Sequence, residues 1–242
     1  MGAKTWMLVY GDRDRDLRAS LRGRPTLDRA ASVRLAGRLF PGEALEALPD
    51  GDLCDTAPAE DVLQVGCFAG VAVVAAREFG IDRPSLLPPS FVEAGTRGTL
   101  ALHAMHSVVD WFAFAVWQRG RLVRSLSLAP DSGILEDIGQ ELPFEEAYWS
   151  GHHPVFADVD RDDAKAAYPF PFHPLELGEA ALGALFGYRL AGEDEADPSL
   201  FAPETIPLLR FRRLAPPRRA TAATPALHAT TPGRPWWKKL LG

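Results

Sequence analysis

The chain has 242 residues, 47% hydrophobic and 24% charged, close to the average for soluble domains, and no apolar run reaches the roughly 18 residues of a membrane span. Two cysteines, Cys54 and Cys67, are too few for a disulfide framework and too far apart for a zinc pair, and the start MGAKTWMLVYGD lacks the charged–apolar–small order of a signal peptide, so a cytoplasmic protein is expected. The net charge of −6 is uneven: eight of the 26 basic residues and none of the 32 acidic ones fall in 210–242, so 1–209 is near −14 and the end near +8.

KTWMLVY, Lys4 to Tyr10, reads as a buried strand, and the charged stretch that follows reads as a solvated loop or frayed helix. PTLDRAASVRLAGRLFPG is a helix pattern with a loose apolar stripe, Thr26 as the expected cap and Pro41-Gly42 as the stop. Two strands follow at about 62–68 and 70–76, and the second is apolar on both faces, as a central strand would be. A short helix opens with proline and ends at Gly95, and TLALHAM is a further strand.

The clearest local signal is DWFAFAVWQRGRLVRSLSL, two strand runs flanking a two-residue turn at Arg119-Gly120. An unbroken register pairs Trp117 with Leu122, Ala115 with Arg124, Ala113 with Leu126 and Trp111 with Leu128, which encloses Arg124 on a face with both tryptophans. Residues 129–154 are turn-rich and acidic with no helical period; a helix is expected from about Leu175 to Phe186, and TIPLLRFRRL is a last strand. Five prolines and ten Ala or Thr residues between Ala215 and Pro235 predict a disordered linker. Strands outnumber helices and several connections are short. The expectation is therefore α+β with a mostly antiparallel sheet: a single domain over 1–213, a linker at 214–235 and a basic aromatic tip at 236–242.

His103, His106 and Asp110 would share one face of a helix, with spacing that suits a metal or a relay. The surrounding residues favour a strand, on which His103 and His106 point to opposite sides and cannot share an ion. A turn near His106 could instead join it to Asp110 as an acid–base pair. Arg124, on an apolar face beside Trp117, requires a partner because a lone buried charge costs several kcal/mol or more: either a carboxylate such as Asp137, Glu141 or Glu145, or an anionic ligand. His173 precedes a helix start, where an anion is also favoured. Phosphate-loop, dinucleotide, zincin and nucleophile-elbow motifs are absent, and neither cofactor nor metal is expected.

Several stretches together, MGAKTWMLVY, LHAMHSVVDWFAFAVW, RSLSLAPDSGILEDIG, LPFEEAYWSG and PFHPLELGEAAL, resemble a family of uncharacterised actinobacterial proteins, a domain of unknown function, over roughly Met1 to Leu190 or a little beyond, without the tail after Arg213. The resemblance implies a single-domain bacterial cytoplasmic protein and transfers no catalytic residue.

The leading expectation is a non-catalytic binding or regulatory module whose ligand or partner contacts come from His103, His106, Asp110, Trp117, Arg124 and His173. Its partner would be an unknown protein or a small anionic ligand, since an acidic body repels nucleic acid. The rival is a small hydrolase or transferase in which His106 and Asp110 exchange protons while Arg124 holds an anionic substrate. It requires these groups to converge on one pocket. A third reading recruits the protein to anionic membrane through Trp236, Trp237, Lys238 and Lys239, with a partner's groove as the other destination for the tip.

Overall fold

The computed structural model describes residues 3–13, 15–23, 25–155, 169–191 and 198–214. Nine strands are β1 (Lys4–Gly11), β2 (Ala44–Asp52), β3 (Val62–Phe68), β4 (Val71–Ala75), β5 (Thr99–His106), β6 (Trp111–Gln118), β7 (Arg121–Ala129), β8 (Gly133–Gly139) and β9 (Pro207–Leu214). They form one antiparallel sheet in the order β2-β9-β3-β4-β1-β5-β6-β7-β8. The helices are α1 (Leu17–Arg22), α2 (Arg29–Leu39), α3 (Pro89–Ala94), α4 (Glu146–Trp149) and α5 (Pro174–Phe186). The fold is the expected α+β class. The expected linker and tip lie outside the described residues, apart from Leu214, which closes β9.

Both faces of the sheet are covered. The even residues of β1, Trp6, Leu8 and Tyr10, join a core with α2 and α3; the odd ones, Met7 and Val9, join a second core with α1 and α5. A strand covered on both sides has no polar face to show, which is why β1 and β4 read as continuous apolar runs. Each fully buried side chain of this kind contributes roughly 1.5–3 kcal/mol. We call the layer with α2 and α3 the first face and the layer with α1 and α5 the second.

The edge strands β2 and β8 gave little sequence signal. β2 is largely exposed and carries Pro49 at a break in its pairing with β9, as an edge tolerates. β8 lies in the stretch read as turns, and only Glu136 along it is buried. The cap of α2 also differs from expectation: Asp28, not Thr26, accepts the amide of Ala31 at 2.8 Å, while its own amide is fixed by Cys67 O.

The turn at Arg119-Gly120 forms as expected, with both residues left-handed (φ 51° and 78°) as in a type I′ turn. The unbroken register does not form. Trp117 pairs with Leu122, but Val116 pairs with Arg124, so Val123 is an extra residue on β7 and every later residue changes face. Arg124, Leu126 and Leu128 join Val116, Phe114 and Phe112 on the second face. Ser125 and Ser127 fall behind the tryptophans instead, where Ser127 Oγ accepts the indole N–H of Trp111 at 3.2 Å and Ser125 bonds Glu136. The guanidinium therefore lies on the opposite side of the sheet from both indoles, a correction to the sequence reading. The shifted register brings it to its carboxylates and gives the buried indole a partner.

Candidate functional site

Arg124 is 1% exposed and fully engaged within the chain. Its Nε and Nη2 donate to the two Glu145 oxygens at 2.9 and 2.6 Å. Nη1 donates to Asp137 and to the carbonyls of Ile138 and Gly139, the latter two at 3.2 and 3.3 Å. Glu145 is itself buried and also accepts the amide of Leu142 at 2.7 Å. This bidentate pair ties the loop after β8 to β7. Arg124 has no fork left for a substrate anion, and of the two partners offered by the sequence the carboxylates are the ones that hold it.

His103 is also interior. Its Nε2 donates to Gly178 O on α5 at 2.9 Å, and its Nδ1 accepts from the Thr5 hydroxyl at 2.7 Å. The close approach depends on Gly178, where a Cβ would sit 2.7 Å from Met105 Sδ. Burial pushes its pKa down to about 4, so the ring is neutral at pH 7. His103 couples helix to sheet. Trp117, 4% exposed, packs in the first-face core.

His103 and His106 face opposite sides, as a strand requires. Asp110 does not turn back on His106. It takes a left-handed conformation (φ 47°) that ends the β5–β6 turn, and its carboxylate lies 3.6 Å from Nε2 of His173. The Nδ1 of His173 accepts the Leu175 amide at 3.3 Å, which caps α5. That bond leaves the ring proton on Nε2, toward Asp110. The pair His173–Asp110 thus replaces the expected pair His106–Asp110. His106 and Arg124 occupy different faces, so no single substrate reaches both, and the acid–base arrangement with Arg124 as anion holder is not assembled.

His106 instead lines a cavity of about 320 Å³ with Lys4, Trp6, Glu60 and Arg77. Lys4 stands directly opposite His106 in the β1–β5 ladder. The Arg77 guanidinium stacks over the Trp6 ring, 4.8 Å from its centroid, and the His106 ring lies 5.7 Å from the same indole. Burial first, then the charges of Lys4 and Arg77, lowers the His106 pKa to about 4. Its Nδ1 accepts the Val108 amide at 3.3 Å, which leaves the proton on Nε2. Two cations and a neutral imidazole with an N–H donor thus line one cavity, with Glu60 as the carboxylate. Lys4, Arg77 and Glu60 carried no sequence signal, because they come from separate segments that only the sheet brings together.

Among the described residues, no group of three or more His, Cys, Asp or Glu side chains is placed to hold a metal, and Cys54 and Cys67 are free thiols. Trp236, Trp237, Lys238 and Lys239 lie outside the described residues. No described helix is long and apolar enough to cross a membrane.

A model of a family of unknown function, DUF6928, matches residues 5–211. The chain belongs to this family. The DUF6928 match begins one residue into β1 and stops within β9, so it spans the sheet and leaves out the basic tail. It runs past Leu190 and takes in most of β9, an inner strand between β2 and β3. No curated protein and no solved structure matches the chain.

Proposed function

We propose that this DUF6928 chain is a non-catalytic binding module for a small anionic ligand, a carboxylate or phosphate, held in the cavity of Lys4, Arg77 and His106. The observation that carries the reading is the convergence of two cations and one neutral imidazole, against the single carboxylate of Glu60, on one cavity in a chain whose residues 1–209 are strongly acidic. Such a site concentrates anions that the rest of the surface repels. The cavity lies at the low end of the range for ligand pockets, roughly 300–1,000 Å³. Arg77 is fixed by its stack on Trp6, so less of its freedom is lost on binding. A neutral His106 adds a donor without adding charge. We place no proton transfer here, because the Asp110 carboxylate that would orient the ring faces His173 instead.

Isothermal titration with inorganic phosphate and with citrate tests the reading. At least one is expected to bind at a single site, and Lys4→Gln and Arg77→Gln should each weaken it about tenfold, the worth of one charge-assisted hydrogen bond. Absence of binding at millimolar anion, or affinity unchanged in both variants, would overturn it.

A further inference from the structure

We infer that the basic aromatic tip, 236–242, docks along the outer edge of β8 in its own chain, as a further strand of the sheet. The sheet ends at β2 on one side and β8 on the other, and a bare edge is a template for pairing. Proteins guard such edges with proline, lysine or exposed charge. The β2 edge is guarded in this way: Pro49 sits at the break in its pairing with β9, between exposed Glu46 and Asp50. β8 has neither proline nor lysine. Its two carboxylates are turned to neighbours: Glu136 accepts both the amide and the hydroxyl of Ser85, and Asp137 is held by Arg124. Among the described residues, β8 exchanges backbone hydrogen bonds with β7 alone.

This edge is apolar on both faces. Ser127 pairs with Glu136 and Leu128 with Ile134, so Leu135 is an extra residue on β8. Ile138 therefore shares the first face with its partner Ser125, and Ile134 shares the second face with Leu128. The two isoleucines are 42% and 49% exposed, so a strand laid along β8 meets open apolar surface on either side of the sheet. The tip has the matching pattern. In an extended conformation Trp236, Lys238 and Leu240 fall on one face and Trp237, Lys239 and Leu241 on the other.

Charge and reach select the chain's own tip as the occupant. Residues 130–151, which hold β8 and its flanking turns, contain six acidic and no basic residues, whereas 215–242 contain five basic and no acidic ones. A second copy would instead set two acidic edges against each other. The ladder pairings place Leu214 at the same end of the strands as the β7–β8 turn. Seven strand spacings, about 34 Å, separate β9 from β8. Trp236 is 22 residues beyond Leu214, a length that reaches at most about 75 Å, so the chain spans the gap with slack. Tethering at this length holds the tip at an effective concentration of about a millimolar, which fills even a weak contact.

Hydrogen exchange followed by nuclear magnetic resonance on the full chain tests the docking. The outward amides of β8 should exchange at least tenfold more slowly in the parent than in Trp236→Ser/Trp237→Ser, while those of β2 exchange alike in both. The reciprocal change, Ile138→Lys, places a guard on the edge and should speed tryptic cleavage after Lys238 or Lys239 at least fivefold. Protection of β8 should stay constant between about 5 and 200 µM protein. Equal β8 exchange in the parent and the tip variant would overturn the inference, and so would unchanged cleavage in Ile138→Lys. Protection that grows with concentration would assign the edge to a second copy. Shielding of the tip that arises only with vesicles containing phosphatidylglycerol would assign it to a membrane. Either result also overturns the inference.

Discussion

Removing Glu145 should be among the most damaging single changes to this fold. Glu145 and Arg124 are both buried, and each of the two guanidinium bonds to Glu145 is short, at 2.9 and 2.6 Å. Glu145→Gln keeps the shape but leaves Arg124 with one charged partner, Asp137, whose side chain is 50% exposed. Breaking a buried pair from one side costs about 3–5 kcal/mol. Exposed Asp137 retains part of the attraction, so we expect about 3 kcal/mol for Glu145→Gln and nearer the upper figure for Arg124→Met, which strands a buried carboxylate. The double variant Arg124→Met/Glu145→Leu removes both charges and should regain most of the loss, because an apolar replacement of a buried pair is often neutral. Urea unfolding followed by far-UV circular dichroism gives all three values, and the cycle gives the coupling. A loss under about 1 kcal/mol for Glu145→Gln, or a double variant as unstable as the sum of the singles, would refute the reasoning.

His103 makes stability depend on pH. Its folded pKa of about 4 lies below the unfolded value of about 6.5, so the unfolded chain takes up the proton first. Its contribution is whole above pH 6.5 and is lost as pH falls toward 4, by at most about 3 kcal/mol. His103→Gln lacks this loss, so its deficit in urea midpoint against the parent should shrink over that window; a constant deficit contradicts it. Gln64 is fully buried and neither of its amide atoms has a hydrogen-bond partner among the described residues. Gln64→Leu should therefore raise stability by about 1 kcal/mol, and a fall in thermal midpoint would show that the amide is satisfied after all. Arg119→Asn should raise the midpoint slightly, because Asn tolerates the left-handed turn; a drop of several degrees would contradict the strain assigned to Arg119.

The sequence predicted strands wherever burial left a periodic or continuous apolar signature. β1, β4, β5 and the β6–β7 hairpin were all legible for this reason, and so was the turn at Arg119-Gly120. The edge strands β2 and β8 were not, because a strand exposed along much of its length has no pattern to distinguish it from a loop. The face of Arg124 was lost to one residue. A single bulge at Val123 inverts the assignment of everything after it, and nothing in the local pattern marks it, since Ser125 and Ser127 are as acceptable behind an indole as on a solvent face. The candidate polar groups fared in the same way. That His103 and His106 diverge follows from the period of a strand. That Asp110 meets His173 depends on α5 docking from more than 60 positions away, beyond any local spacing. Lys4 and Arg77 became visible as a site only when strand pairing set Lys4 opposite His106.

The anion proposed for the cavity of Lys4, Arg77 and His106 would sit beside the His106 ring. The imidazole reports on this directly, because two nearby cations help hold its pKa at about 4. A nuclear magnetic resonance titration of the His106 ring in the presence and absence of saturating phosphate or citrate is the decisive measurement. An anion seated between Lys4 and Arg77 offsets their charge, so the pKa of His106 should rise by at least half a unit while that of buried His103 stays fixed. Identical His106 titration curves with and without either anion would contradict the account.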